Sequence, residues 1–198
     1  RPRRLVIVGG GFIAAEFAHV FTAFGVATTV LARSAPLLRH LDREIATRFT
    51  EIVRQRWDVR TETQAAPAGA SSDPERLHRG DGSTVEADLL LVATGRVPNA
   101  DRMNVAAAGI EVHPDGRVIV DAFGRTSAAQ VWSLGDVSSE HQLKHVANHE
   151  ARVVAHNLAH PEDLIESDHR VVPSAVFTHP QLATVGLTEE QAIASGRP

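Results

Sequence analysis

The chain is 198 residues long, 43% hydrophobic and 22% charged, values ordinary for a globular protein that can bury a core and unlike those of a disordered one. Twenty basic against twenty-four acidic residues give a formal net charge of −4, which is no electrostatic footprint for nucleic acid or an anionic membrane surface. The absence of cysteine excludes disulfide scaffolds, thiolate nucleophiles and Cys-based metal centres within this sequence, leaving carboxylates, imidazoles or a bound cofactor for any chemistry.

Arg1-Pro2-Arg3-Arg4 leads into an apolar run too short for a signal peptide, and no stretch approaches the ~18 apolar residues of a membrane helix, so no membrane partner and a cytoplasmic location are expected. The chain opens almost directly on a buried-strand pattern and stops at Gly196-Arg197-Pro198, which reads as a piece of something longer. Leu5 to Val8 is a compact apolar run ending in Gly9-Gly10-Gly11. Phe12, Ile13, Ala14, Phe17, Val20, Phe21 and Phe24 then recur at helical spacing, with Gly25 as the expected residue beyond the helix end. Val26 to Leu31 is β-rich, completing a β-α-β unit of the usual ~30 residues, for which a right-handed parallel crossover is expected.

A second helix is expected from Asp42, its N-cap, carrying Ile45, Phe49, Ile52 and Val53 on one side, and Val59 to Thr63 reads as the next strand. Ala65 to Asp73, rich in Ala, Pro, Gly and Ser, reads as a loop. Arg79-Gly80-Asp81-Gly82-Ser83 has the chemistry of a hairpin turn, and Asp88 to Ala93 is a strand running into Thr94-Gly95. A second hairpin is expected around Pro114-Asp115-Gly116, a short strand over Val131 to Leu134 before Gly135-Asp136, and a helix from about Leu143 to about Ala159. Arg170 to Val176 and Ala183 to Leu187 look β-like, and Thr188 caps a last helix. The fold class is therefore α/β: a Rossmann-like parallel sheet with helices, plus a β-meander.

Gly9-x-Gly11-x-x-Ala14, between strand and helix, is the fingerprint of a dinucleotide site. Gly9 permits the tight turn, Gly11 lets a pyrophosphate approach the backbone, and Ala14 lets helix and strand pack closely, while the helix start offers free N–H groups to phosphate. An NAD site places an acidic residue ~20 positions further on to bind the adenine-ribose hydroxyls. No acidic residue occurs between Glu16 and Asp42; Arg33 and Arg39 stand there instead. Guanidinium groups grip a 2′-phosphate that a carboxylate would repel, so NADPH is favoured over NADH.

These residues, together with Ala93-Thr94-Gly95-Arg96-Val97-Pro98-Asn99, Leu134-Gly135-Asp136-Val137, Leu143 to Arg152 and Val176-Phe177-Thr178-His179-Pro180-Gln181, occur in an order and at separations that resemble the class I flavin-dependent pyridine nucleotide–disulfide oxidoreductases. The resemblance spans essentially the whole chain outside Ala65 to Asp73. It implies an NADPH-binding domain over residues 1–118, the C-terminal segment of an FAD-binding domain over 119–160, and the opening of an α+β dimerisation domain over 161–198. The parent it implies moves electrons from NADPH to FAD and on to a small-molecule disulfide, as a homodimer.

The same resemblance assigns roles by position. Gly9, Gly11, Ile13 and Ala14 form the pyrophosphate loop and helix start, Arg33 and Arg39 hold the 2′-phosphate, and Gly95 is a close approach of backbone to NADPH. Phe12 stands where relatives have a Tyr over the flavin, so stacking is retained and any hydroxyl role is lost. Glu16 matches a carboxylate near the nicotinamide amide. Asp136 matches the acceptor for a ribityl hydroxyl of FAD, and Gln142, Leu143, Lys144 and His145 match a helix start facing the flavin pyrimidine edge. The flavin fingerprint, the redox cysteine pair and the acid–base His-Glu pair of the family have no counterpart in these residues. No catalytic residue is therefore assigned within the chain, His179 included, and the chain by itself is expected to be inactive. A stand-alone NADP(H)-binding module, or another NADPH-dependent flavoprotein reductase, are the alternatives.

His145, His149, His156 and His160 recur along one side of the expected helix, but no carboxylate completes a ligand set, so they read as a polar side rather than a metal site. Trp57 and Trp132 read as packing aromatics. No G-x-S-x-G elbow supports Ser-His-Asp hydrolysis.

Overall fold

The computed structural model describes residues 2–67, 75–79 and 82–196. In chain order the elements are β1 (Arg4–Val8), α1 (Phe12–Ala23), β2 (Ala27–Leu31), α2 (Arg43–Val53), β3 (Asp58–Arg60), β4 (Ala65–Pro67), β5 (Glu75–Arg79), β6 (Thr84–Ala87), β7 (Leu89–Val92), α3 (Lys144–Ala159), β8 (Ser174–Val176), β9 (Leu182–Thr184) and α4 (Glu189–Ala194). Short 3-10 turns occupy Asn99–Met103, Val105–Ala108 and Gly135–Val137. The chain divides into two compact units, Arg1–Gly95 with Pro173–Pro198, and Arg96–Val172.

In the first unit, four strands form a sheet in the order β3-β2-β1-β7, and all three neighbouring pairs are parallel. This is the open α/β arrangement in which a ligand binds beyond the carboxyl ends of the strands. Leu5, Ile7 and Val30 of the sheet are fully buried together with Phe49 and Val53 of α2. The Trp57 ring stands edge-on to Phe49, with centroids 6.1 Å apart, and both rings belong to this core.

Helix α1 packs differently from its hydrophobic periodicity. Its buried positions are Ala14, Ala15 and Ala18, while Phe17, Val20 and Phe24 are exposed. Small side chains let the helix axis come close to the sheet, and that closeness leaves Phe17, Val20 and Phe24 outside while Phe12 and Phe21 pack at the edge of the core. The helix ends as its sequence predicts. Gly25 adopts a φ of +76°, its N–H bonds to the Thr22 carbonyl and that of Val26 to the Phe21 carbonyl, a Schellman arrangement. Asp42 caps α2 by accepting the Glu44 N–H, and Thr188 and Gln191 form a reciprocal capping box on α4.

Several strand boundaries differ from the sequence reading. β3 stops at Arg60 because the chain turns at Glu62, where φ is +56°. Part of the expected loop, Ala65–Pro67, is instead β4, recruited by antiparallel pairing with β5; residues 68–73 of that stretch lie outside the described residues. β5 and β6 are antiparallel as a hairpin requires, although Gly80 and Asp81 at its tip also lie outside. In the second unit the expected strand at Val131 to Leu134 reduces to a single bridge, Arg125 to Trp132, because Gly124 at a φ of +89° turns the chain away. The hairpin at Pro114-Asp115-Gly116 closes through the Val112–Val118 bridge. β8 and β9 are three residues each and antiparallel, shorter than the β-rich runs around them.

The compact units of the structure divide after Gly95 and after Val172. Residues just after Gly95 join the second unit through hydrogen bonds such as Glu111 N–H to Ser127 Oγ and Val118 N–H to the Val137 carbonyl. Val176 and Leu182 join the first through its hydrophobic core.

Candidate functional site

In the first unit the glycine turn lies at the carboxyl end of β1, between β2 and β7. Gly9 donates its N–H to the Leu31 carbonyl, and Ala93 donates to the Val8 carbonyl, so the turn is tied to both neighbouring strands. Gly9 has a φ of +143°, and a Cβ there would come within 2.2 Å of the Ala93 carbonyl oxygen. Only glycine satisfies both conditions. Gly11, the N-cap of α1, is different: its φ is −88°, and a Cβ would meet nothing within 4 Å. The space in front of the helix start is open, and no side chain caps its N–H groups. A phosphate-bearing group can therefore reach them. Phe12 and Ile13 are half-buried at this first turn, and Ala14 is buried in the core, consistent with close helix–strand packing.

The loop after β2 carries the expected cations, and two buried leucines position it. Leu37 donates its N–H to the Thr50 hydroxyl, and Leu38 donates its N–H to the Gly10 carbonyl at 2.7 Å. The residue following Leu38 is thereby tethered to the glycine turn. Arg33 and Arg39 are both exposed, and among the described residues neither forms an ion pair. His40 beside them has its pKa lowered by partial desolvation and by the Arg39 charge. Gly95, with a φ of +135°, is exposed, and a Cβ on it would meet nothing within 4 Å.

Glu16 lies farther along α1, where its Oε1 accepts the Phe177 N–H at 2.9 Å. Nothing local in the sequence marks this partner, since the two residues are 161 positions apart.

The second unit holds the remaining residues. Asp136 lies in the turn Gly135–Val137 with its side chain 55% exposed, 3.1 Å from a guanidinium nitrogen of Arg96. Another Arg96 nitrogen donates to the Gln142 carbonyl, so a single side chain links the Asp136 turn to the segment before α3. Gln142 has a φ of +41°, and Leu143 is the N-cap of α3 without a side-chain cap. Lys144 and His145 are exposed in its first turn. Arg96 is thus a site-associated residue, legible in sequence only as a neighbour of Gly95.

The expected histidine side of α3 is distributed among other contacts. His149 Nε2 accepts the Asp168 N–H, while His156 and His160 stack on each other with centroids 4.6 Å apart. Among the described residues no group of three or more His, Asp or Glu is arranged to hold a metal ion, and no helix is long and apolar enough to cross a membrane.

A parallel sheet with a glycine turn at its centre, at the carboxyl end of β1, is the architecture of a doubly wound α/β fold. Comparison with known families agrees: residues 1–151 match the pyridine nucleotide-disulphide oxidoreductase family and residues 172–198 match its dimerisation domain. The chain belongs to that family.

Among individual relatives, the mycothione reductases of two Mycobacterium tuberculosis strains are 55% identical over 98% of this chain. Glutathione reductase of Schizosaccharomyces pombe is 35% identical over 98% of it. The HOCl-induced flavoprotein disulfide reductase RclA of Escherichia coli superposes with a TM-score of 0.88 at 32% identity, covering 98% of this chain and 45% of that one. The chain spans 43% of the mycothione reductases and 42% of the glutathione reductase, less than half the length of these curated relatives.

Proposed function

We propose that this chain is the NADPH-binding segment of a cytoplasmic, homodimeric flavoprotein that reduces a low-molecular-weight disulfide, with mycothione as the substrate. The observation that carries the reading is the step in identity from 55% with mycothione reductases to 35% with glutathione reductase over the same share of the chain. In this reading residues 1–118 bind NADPH, 119–160 close the FAD domain, and 161–198 open the dimerisation domain.

When bound, NADPH supplies a hydride and FAD accepts it. The residues of this chain then bind, orient and compensate charge. Gly9, Gly11, Ile13 and Ala14 open the α1 N–H groups to a pyrophosphate, and the open space at Gly11 fits that role. Arg33 and Arg39, without carboxylate partners among the described residues, are available to a dianionic 2′-phosphate. Gly95 offers a bare stretch of backbone, Phe12 an aromatic face, and Glu16 an acceptor near the nicotinamide. On the flavin side the exposed Asp136 is an acceptor for a ribityl hydroxyl. The Gln142, Leu143, Lys144 and His145 segment presents a helix start that favours negative charge on the reduced ring. The electron-accepting cysteines belong to another part of the parent, so this chain alone does not turn over.

The test is steady-state NADPH oxidation by the full-length flavoprotein with mycothione and with glutathione disulfide. A kcat/KM for mycothione at least about a hundredfold higher is expected. A preference for glutathione disulfide would assign it as a glutathione reductase, and a full-length protein without flavin would leave a stand-alone NADP(H)-binding module.

A further inference from the structure

Helix α3 buries a carboxylate that stands outside the proposed nucleotide and flavin contacts. Glu150 is 6% exposed, on the same side of the helix as the buried Val146, Val153 and Asn157. A carboxylate at that depth is costly unless its oxygens are engaged. Its Oε2 accepts the Gly135 N–H at 2.6 Å, a short, charge-assisted hydrogen bond. Its Oε1 lies 3.0 Å from Nε2 of His169, a close contact without the geometry of a hydrogen bond.

Gly135 is held from its other side as well, because its carbonyl accepts the N–H groups of Ser138 at 2.9 Å and Ser139 at 2.7 Å. Its φ is +71°, and a Cβ there would press within 3.4 Å of the Ala147 Cβ, so the turn sits directly on α3. The next residue is Asp136, whose side chain projects outward to Arg96. Gly135 anchored on both faces fixes the backbone from which the Asp136 side chain departs.

We infer that Glu150 is a positioning residue: its hydrogen bond to Gly135 fixes the turn so that the Asp136 carboxylate is pre-aimed at a flavin hydroxyl. The inference rests on the flavin reading of Asp136 given under Proposed function. Pre-aiming matters because a carboxylate that must be ordered on binding contributes less affinity than one already in place.

The experiment uses the full-length flavoprotein and measures FAD dissociation constants by reconstitution of the apoprotein, with NADPH dissociation constants as an internal control. Glu150→Ala is expected to raise the FAD constant by about tenfold or more, the scale of a lost hydrogen bond to a charged group, while the NADPH constant stays within about twofold. Glu150→Gln keeps an acceptor for Gly135 and loses the charge, so a smaller rise of about threefold is expected. In an Asp136→Ala background, which removes the acceptor, neither change should raise the FAD constant further, since Glu150 acts through Asp136. If Glu150→Ala does not fold, the cycle of Glu150→Gln with Asp136→Ala decides. Equal losses in both backgrounds, or a parallel loss of NADPH affinity, would make Glu150 a general structural residue and overturn the inference. So would FAD constants unchanged by either substitution. Absence of FAD binding in the unsubstituted full-length protein is a separate outcome: it removes the flavin reading itself, and this inference with it.

Discussion

The carbonyl oxygen of Ala93 occupies the space a side chain at Gly9 would need: a Cβ built on Gly9 lies 2.2 Å from it. The glycine turn is therefore held by the strand beside it as well as by its own dihedral angles.

That contact separates two glycines that look equivalent in sequence. Gly9→Ala combines a positive φ with a backbone clash, and a loss of stability of about 3 kcal/mol or more is expected in thermal or denaturant unfolding. Gly11→Ala meets nothing and keeps an ordinary φ, so its cost should stay below about 1 kcal/mol, while dinucleotide affinity falls by about tenfold because the new methyl intrudes on the open space before α1. Equal destabilisation by the two substitutions would contradict this division.

Arg33 and Arg39 should discriminate between the two nicotinamide cofactors. Calorimetric titration of the full-length protein is expected to show NADPH binding tighter than NADH, with Arg33→Ala and Arg39→Ala each narrowing the gap by about tenfold. His40 offers a spectroscopic readout of the same event. Its pKa lies below the ordinary histidine range because of partial desolvation and the Arg39 charge, and a phosphate neutralising Arg39 should raise it. An NMR titration should show that rise with NADPH and not with NADH.

Asp88 predicts a specific acid sensitivity. Hydrogen bonds from the Arg4 guanidinium and from the N–H groups of Arg3 and Arg4 hold its carboxyl below the usual carboxylate range. A pKa depressed by folding contributes stability that is present above the unfolded value near pH 4 and is lost as pH falls through the folded one. Asp88→Asn should therefore destabilise the protein at pH 7 and have little effect near pH 2. A loss of equal size at both pH values would point to packing instead.

Asp42 serves two helices at once. Its Oδ1 caps α2 through the Glu44 N–H and its Oδ2 accepts the Glu189 N–H at the start of α4. Asp42→Ala should cost about 1–2 kcal/mol, or a fall of about 2–6 °C in melting temperature, with amide exchange rising at both helix starts. Asp42→Asn, which can keep both acceptor roles only in part, should fall between.

Most of the first unit could be read from the chain alone. The apolar run Leu5 to Val8, the glycines after it and the Phe-Val-Ala periodicity specify strand, turn and helix by short-range physics, and Asp42, Gly25 and Thr188 mark helix ends through local hydrogen bonding. What escaped was governed by distant partners. Ala65–Pro67 becomes a strand because β5 lies beside it, and Val131 to Leu134 is limited to one bridge because the segment paired with it turns at Asp121–Gly124. The apolar stripe of α1 was misleading for a related reason: close approach to the sheet selects alanine for burial and leaves Phe17 and Phe24 outside.

Composition, the order of motifs and the lack of an acidic residue between Glu16 and Asp42 were enough to specify an α/β fold and to predict a dinucleotide site that favours a phosphorylated cofactor. These are properties of residue type and local spacing, which the sequence states directly. Folding alone decided that Leu38 ties the Arg39 loop to Gly10, that Glu16 receives the Phe177 amide, that Arg96 joins Asp136 to Gln142, and that Glu150 lies beneath Gly135. Each is a hydrogen bond between groups well separated along the chain, and such pairings are set by how elements pack, which no local pattern encodes.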